Sequence, residues 1–292
     1  MYLTGFADEA AADIDGQIRA TKELGWTNIE SRNINGVNLH DVADDVFETV
    51  YAKLADAGIS VNCFGSAIAN WAKDIRKPYD EDMASAKRAV VRMKRLGSKL
   101  VRIMSYPPIP GEPMENQMAE ERFRRLRDIC ALFLDEGLQP VHENCMNYGG
   151  QGWKYTLELV EKVPGLKLVF DTGNPVNTAD REAPGKRQSA WDFFSHVREH
   201  VIYVHIKDGV PVENGGTKWC FCGEGDGDVK RIVTELVASG YDGGFSMEPH
   251  MAVVAHDASV KSDAEIRFSN YVEYGRRFEA ILAAAKAAKA GR

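Results

Sequence analysis

Four short phrases in the sequence each close a hydrophobic run with a carboxylate or an imidazole. They are VHEN at residues 141–144, FDTGN at 170–174, HIKD at 205–208 and MEPH at 247–250. The candidate donors in them are Glu143, Asp171, His205 and Glu248. Carboxylate oxygen and imidazole nitrogen suit Mn²⁺, Mg²⁺, Co²⁺ or Zn²⁺, and four such ligands leave coordination positions open for a substrate. The sequence therefore predicts one catalytic divalent metal ion, with Mn²⁺ favoured.

A β-strand and α-helix alternation runs through the whole chain of 292 residues. The predicted strands are 3–7, 28–32, 60–65, 100–105, 139–144, 167–171, 201–207 and 244–248. The predicted helices are 15–24, 46–57, 82–96, 117–136, 154–163, 191–199, 228–238 and 264–288. Several helices stop at a glycine directly before the next strand, where a left-handed C-cap is common. The alternation predicts an α/β fold in which residues 1–292 form a single (β/α)₈ TIM barrel domain.

The candidate residues fall where barrel enzymes build active sites. Glu30 and the four predicted metal ligands lie at the carboxyl ends of predicted strands, the catalytic face of TIM barrels. Because an isolated buried carboxylate is costly, this cluster implies a counter-charge, which a divalent ion would provide. Glu143 and Glu248 come from different strands, so they could flank a sugar from opposite faces. Two carboxylates beside a metal-polarised carbonyl predict proton transfer, the chemistry of aldose–ketose isomerases and ketose epimerases.

The order and spacing of these motifs resemble the sugar phosphate isomerase/epimerase superfamily with a xylose isomerase-like TIM barrel. The resemblance rests on FDTGN, HIKD, the glycine–acid segment GEGDGD at 223–228 and the terminal MEPH, and it spans nearly the whole chain. It implies that the four donors bind the metal and that Glu143 and Glu248 also act as acid and base. It further implies that Glu30 lies in the pocket.

Two positions depart from the ketose 3-epimerases of this superfamily. Those enzymes usually carry a histidine three residues after the strand-six aspartate and an arginine six residues after the strand-seven histidine. This chain has Asn174 and Pro211 there, so their sugar-orienting contacts are missing. The endonuclease IV branch uses a histidine at the first of these positions for its three-metal cluster. Asn174 therefore also argues against a DNA-repair role.

His142 raises a second enzymatic possibility. It opens the phrase HENCMNYGG, which resembles the catalytic subunits of bacterial 3-oxo-glycoside C-deglycosidases, barrel proteins that pair with a small β-sandwich subunit. With His142 as the catalytic base, α-proton abstraction followed by β-elimination predicts a lyase acting on 3-oxo-sugars or glycosides, or an inosose-type dehydratase. Strand alternation turns His142 away from the pocket unless the strand twists or ends at Val141. Isomerase or epimerase is the favoured prediction, and a non-catalytic sugar-binding barrel is the third alternative.

Further side chains near the strand ends are candidates for sugar contacts. They are Glu30, Arg32, Asn144, Lys207 and His250, with Trp71, Trp153 and Trp219 in predicted loops. The indoles suit sugar stacking, although packing in the core is the commoner fate of tryptophan. Asp208 either orients His205 or caps a loop.

Bulk composition restricts the partners. The net charge of −7 opposes binding to phosphate backbones, so no nucleic-acid partner is expected. No segment reaches the ~18 apolar residues that a bilayer span requires, and the first residues lack a signal-peptide pattern, which predicts a cytoplasmic protein. Five scattered cysteines agree with a reducing compartment. The expected partner is a small sugar or sugar derivative, and either a homo-oligomer or the β-sandwich subunit stays open.

Overall fold

The computed structural model describes residues 1–213, 215–252 and 262–291. Its main sheet has eight parallel strands: β1 (Tyr2–Gly5), β2 (Asn28–Ser31), β3 (Ser60–Gly65), β4 (Leu100–Ile103), β5 (Gln139–Glu143), β6 (Lys167–Asp171), β7 (Val201–Ile206) and β8 (Gly244–Met247). Neighbouring strands pair in the order β1-β8-β7-β6-β5-β4-β3-β2. A single bridge between Phe6 and Glu30 brings β2 back to β1. The predicted (β/α)₈ TIM barrel is thus confirmed, and every predicted strand is present within two residues of its expected ends.

Helices surround the barrel. They are α1 (Ile14–Glu23), α2 (Asp44–Ala57), α3 (Asp80–Leu96), α4 (Ala119–Asp135), α5 (Trp153–Lys162), α6 (Asn174–Asn177), α7 (Ala190–Val197), α8 (Val229–Ala238) and α9 (Ala264–Ala290). In α4, four fully buried side chains recur every three or four residues, so they form one apolar face: Phe123, Leu126, Ile129 and Phe133. Gly58 and Gly97 end α2 and α3 in the left-handed conformation, as predicted.

Two short antiparallel hairpins at the carboxyl end of the barrel were not predicted. Asn33–Ile34 pairs with Val37–Asn38 after β2, and Gly209–Pro211 pairs with Thr217–Trp219 after β7. Strands of two or three residues are too short to carry a hydrophobic period, so no sequence pattern indicates them. In the part of the chain that the structure describes, no helix is both long and apolar enough to cross a membrane.

Strand alternation positions the site. Cys63, Val141, Val169 and Tyr203 form a buried layer inside the barrel. Because successive side chains on a strand point to opposite faces, the residues two positions further along the last three of these strands also point inward. These residues are Glu143, Asp171 and His205. The barrel therefore has an apolar floor and a polar mouth.

Candidate active site

The four predicted ligands meet at the carboxyl end of the barrel. One donor atom from each lies within 4.8 Å of the others, and all four side chains are buried; they are Glu143, Asp171, His205 and Glu248. They come from the ends of β5, β6 and β7 and from the residue after β8. The convergence expected from the motifs is therefore present in the fold.

The chain itself supplies cations to these carboxylates. Arg102 Nη1 donates to Glu143 Oε2 at 2.9 Å. Glu248 accepts from Arg32 Nη1 at 2.6 Å and from Lys207 Nζ at 2.8 Å. The sequence predicted a divalent ion as the counter-charge, and these three side chains provide positive charge in addition to it. Among the predicted sugar ligands, Arg32 and Lys207 lie in the site, where both bind Glu248.

Acidic groups still outnumber the cations. Arg32, Arg102 and Lys207 face six buried or half-buried carboxylates, which belong to Asp8, Glu9, Glu30, Glu143, Asp171 and Glu248. These described side chains include three more carboxyl groups than Arg and Lys side chains, and a proton on His205 offsets one of them. A divalent cation at this position would reduce the excess, since buried charge is stable only when it is compensated.

His205 is oriented as a metal ligand. Its Nε2 lies 3.0 Å from Glu30 Oε2, and Tyr203 Oη donates to the same oxygen at 2.9 Å. The other ring nitrogen, Nδ1, is buried without a hydrogen bond and lies 3.7 Å from Glu143 Oε1. A carboxylate on the outer nitrogen is the usual arrangement around a metal-bound histidine. Glu30 therefore supports His205 and does not line the cavity, so its predicted contact with sugar is not supported by this placement.

Asp171 also presents an unused donor atom. Its Oδ1 accepts from the backbone N–H groups of Gly173 and Asn174 at 2.9 and 2.6 Å. Its Oδ2 is buried and accepts no hydrogen bond of good geometry, although Lys207 Nζ lies 3.1 Å away. Together with Nδ1 of His205, this atom is what an additional cation would satisfy. The donor set and its orphaned atoms therefore fit one divalent ion.

Burial and neighbouring charges shift the pKa values of the cluster in different directions. Burial opposes ionisation of Glu143, but Arg102 and His205 outweigh it and lower the pKa of this carboxyl to about 2. Burial raises the pKa of Asp171 to about 6, with Lys207 opposing the rise. Burial also opposes charge on His205, yet Glu30 and Glu143 raise its pKa to about 10. A metal ion would have to displace that proton, because only neutral imidazole binds metals.

A cavity of about 280 Å³ opens above the cluster. Its walls include three of the predicted sugar ligands, Arg32, Lys207 and His250. His250 is fixed by Glu9, whose Oε1 lies 2.9 Å from Nδ1 and whose Oε2 accepts the backbone N–H at 2.8 Å. Trp219 meets the His250 ring edge-on at 5.5 Å. Glu248 also lines the cavity, which therefore adjoins one of the two predicted catalytic carboxylates.

Two predicted site residues lie elsewhere. Asn144 pairs with the backbone of Asp171, accepting its N–H at 2.7 Å and donating to its carbonyl at 3.0 Å. It therefore joins the ends of β5 and β6 and does not reach the cavity. His142 is fully buried on the outer face of β5, where Nε2 lies 3.0 Å from Ser105 Oγ. The strand continues to Glu143, so the condition that would turn His142 inward is not met. Its predicted role as a base does not fit this geometry.

Arg102 is a site residue that the sequence analysis missed. It binds Glu143 and lines the cavity, but in the sequence it stands inside the hydrophobic strand LVRI and not at a strand end. Strand alternation indicates the position of Arg102, because it places this residue on the same face as Leu100, which packs against the inner layer. Two of the three candidate tryptophans lie in the cavity wall. Trp71 and Trp219 line the cavity, whereas Trp153 stacks on His196 at 3.8 Å outside it.

The GEGDGD segment serves Asp208. The Asp208 carboxylate accepts four backbone N–H groups at 2.8–3.1 Å, from Gly209, Gly223, Gly225 and Gly227. A Cβ atom on Gly225 would lie 2.5 Å from Asp208 Oδ1, so a larger residue does not fit without a shift. Of the two predicted roles for Asp208, the structure shows the loop anchor.

Comparison with known proteins agrees with this architecture. The family model described as "Xylose isomerase-like TIM barrel" matches residues 18–269. The protein YihM of Escherichia coli (strain K12) is 26% identical over an alignment of 228 residues. The match covers 72% of this chain, and the chain spans only 60% of that relative's length.

Solved structures of the same fold are more distant in sequence. A xylose isomerase-like TIM barrel protein from Mycobacterium smegmatis in complex with magnesium superposes with a TM-score of 0.69 at 17% identity, covering 98% of this chain and 97% of that one. D-psicose 3-epimerase with D-tagatose from Clostridium cellulolyticum H10 gives 0.67 at 17% identity, covering 97% and 99%. At these identities the likeness establishes the fold alone.

Proposed function

Because the chain belongs to the xylose isomerase-like TIM barrel family, we propose that it is a metal-dependent isomerase or epimerase of sugars. The reaction is proton transfer next to a carbonyl group. The observation that carries the proposal is the pair of buried glutamates, Glu143 and Glu248, which meet Asp171 and His205 within 4.8 Å beside a polar cavity. Such convergence of carboxylates, imidazole and cations is typical of an active site.

The four donors would hold the divalent ion, which when bound would polarise the substrate carbonyl. We propose Mn²⁺, with Mg²⁺, Co²⁺ and Zn²⁺ as alternatives, and the magnesium complex of the mycobacterial neighbour supports a divalent ion of this class.

The protein's own groups position the acid and base. Arg102 and Asn174 hold the two oxygens of Glu143, and Arg32 and Lys207 hold those of Glu248. Both glutamates are kept ionised, because these neighbours outweigh burial and lower their pKa values. One glutamate takes the proton next to the carbonyl. Isomerisation is completed when a proton is returned to the former carbonyl carbon and the substrate's hydroxyl proton moves to the former carbonyl oxygen. Epimerisation is completed when the other glutamate returns a proton to the same carbon from the opposite face.

Deuterium exchange tests the proposal. We expect solvent deuterium to enter at least one ketose of a panel in D₂O with Mn²⁺, as followed by NMR. Glu143→Gln and Glu248→Gln should each lower the exchange rate by roughly 10²- to 10⁴-fold at saturating metal. Glu224→Gln, at an exposed carboxylate, is the matched control and should exchange normally. Normal exchange in both site variants would refute the assignment of the glutamates.

The same panel should include 3-oxo-glycosides, because the lyase alternative predicts release of an aglycone and not simple exchange. The outward placement of His142 removes the specific reason for elimination by that residue. Exchange without release supports the isomerase or epimerase, and release supports the lyase.

A further inference from the structure

The cavity of the proposed enzyme has an uneven distribution of charge and hydrogen-bonding capacity. Each described cation in its wall is already bound to a carboxylate: Arg32 to Asp8, Glu9 and Glu248, Arg102 to Glu143, and Lys207 to Glu248. The cations thus neutralise the protein's own acids, and the acids remain in excess. A phosphate or carboxylate on a substrate would find no uncommitted positive side chain in the described part of the wall.

Neutral amides provide the unused capacity. Asn70, Asn174 and Asn177 line the cavity. Within the described residues, Asn70 Nδ2, Asn174 Oδ1 and Asn177 Nδ2 form no hydrogen bond. The side-chain hydrogen bonds of these three residues use only the other polar atom of each amide. Amides offer both donors and acceptors, which match the dual character of a hydroxyl group. The wall therefore has spare partners for hydroxyls.

Two indoles complete the wall. Trp71 follows β3 and Trp219 ends the hairpin after β7, and these strands lie four places apart in the eight-stranded order, on opposite sides of the mouth. Trp71 is 40% exposed. Apolar ring faces at the rim suit the C–H faces of a sugar and do not attract an anion.

From these features we infer that the substrate is an uncharged, unphosphorylated polyhydroxy ketone. This inference rests on the proposed function, since it names the substrate class of the same site. The amides bind its hydroxyl groups, and Trp71 and Trp219 cover its apolar parts. A phosphorylated counterpart is repelled by the acidic excess.

Binding of matched pairs tests the inference without requiring turnover. The probes are D-fructose, D-ribulose and D-xylulose, each compared with its terminal phosphate ester, and the signal is tryptophan fluorescence of the metal-loaded protein. We expect a saturable change with at least one neutral ketose and a several-fold weaker response to its ester. Trp71→Phe or Trp219→Phe should remove most of the change. Trp153→Phe is the control and should retain it, because Trp153 lies outside the cavity.

Releasing a cation tests the electrostatic reason. Asp8 accepts hydrogen bonds from Nε and Nη2 of Arg32 at 2.9 and 3.0 Å. Asp8→Asn removes this negative charge beside Arg32, so the ratio of ester to ketose dissociation constants should fall several-fold. Asp74 forms a similar two-bond contact with Arg76 at the surface. Asp74→Asn is therefore the control and should leave the ratio of ester to ketose binding unchanged.

Equal or tighter binding of the esters, or no saturable change with any neutral ketose, would overturn the inference. Neutral ketoses that bind without deuterium exchange would instead contradict the proposed function and leave the inference standing. Deuterium exchange into a phosphate ester, with none into a neutral ketose, would contradict the inference and leave the proposed function standing.

Discussion

Glu30 illustrates how a residue outside the cavity can govern the site. Its carboxylate joins Nε2 of His205 to the hydroxyl of Tyr203, both at the inner face of the barrel. All three side chains are fully buried, so no solvent competes for these bonds. The orientation of the imidazole, and therefore the direction of Nδ1, depends on this contact.

Replacing Glu30 should consequently weaken metal binding. We expect Glu30→Gln to lower the affinity for Mn²⁺ by roughly 10- to 100-fold, the usual cost of losing the partner of a ligating histidine. Titration calorimetry of each variant with Mn²⁺ measures this affinity directly. Tyr203→Phe removes one bond to Glu30 but keeps its carboxylate, so its effect should be smaller. Unchanged affinity in Glu30→Gln would mean that packing alone orients His205.

His142 should matter for folding and little for catalysis. It is buried beside Ser105, and burial lowers its pKa to about 4, which keeps it neutral at working pH. His142→Asn should change the rate of deuterium exchange by a few-fold at most, at unchanged metal content. The unfolding free energy should fall by roughly 1 kcal/mol through loss of the buried hydrogen bond. Abolished exchange in a folded, metal-loaded variant would restore His142 to the mechanism.

At the scale of elements, loops hold the cavity wall through single polar anchors. Asp208 gathers Gly209 at the start of the β7 hairpin and three glycines of the GEGDGD segment around one carboxylate. The hairpin ends at Trp219, so this anchor also fixes the indole over Lys207, whose Nζ lies 5.3 Å from the ring centroid.

Asp208→Asn should therefore loosen this loop. The side-chain NH₂ group of asparagine would face backbone N–H groups that need an acceptor. Some of these backbone donors would then lack a partner, at a cost of roughly 1–3 kcal/mol each. We expect lower stability in chemical unfolding and a changed fluorescence of Trp219. Asp226→Asn alters an exposed carboxylate of the same segment and serves as the control. Equal stability of the two variants would show that Asp208 is not the anchor.

His40 gives another loop a dependence on pH. Ala67, in the cavity wall, donates its backbone N–H to His40 Nε2 at 3.3 Å, which requires the unprotonated nitrogen. Burial lowers the pKa of His40 below its ordinary 6.5, with Asp41 opposing the shift. The unfolded chain therefore binds the proton first as pH falls through about 6.5, and stability decreases by at most ~1.4 kcal/mol per pH unit from this group.

His40→Gln separates this contribution from those of other histidines, because the amide oxygen can still accept the bond. Unfolding free energies measured from neutral to mildly acidic pH should fall less steeply in the variant. Parallel curves for the two proteins would exclude His40 as the source.

For the whole molecule, periodicity was sufficient to predict the barrel and its longer helices, because each of these elements carries its own hydrophobic period. It did not predict α6, whose four residues are too few to show a period. The same periodicity predicted where Glu143, Asp171 and His205 would meet. It did not predict that Arg32 would bind Glu248, since no local pattern relates residues more than 200 positions apart. The single-domain extent, the cytoplasmic location, the oligomeric state and a β-sandwich partner stay predictions.

Metal binding should stabilise the entire barrel, because its four ligands come from four strand ends and exist as a set only in the folded chain. A ligand at 100 times its dissociation constant adds about 2.7 kcal/mol to the unfolding free energy. We therefore expect Mn²⁺ to raise the Tm of the chelator-treated protein by several degrees. Asp171→Asn and His205→Ala should lose most of this rise, and Asp226→Asn, an exposed substitution outside the donor set, should retain it. If no divalent ion raises the Tm of the native chain, the cations Arg32, Arg102 and Lys207 already compensate the carboxylates sufficiently, and the metal site is refuted.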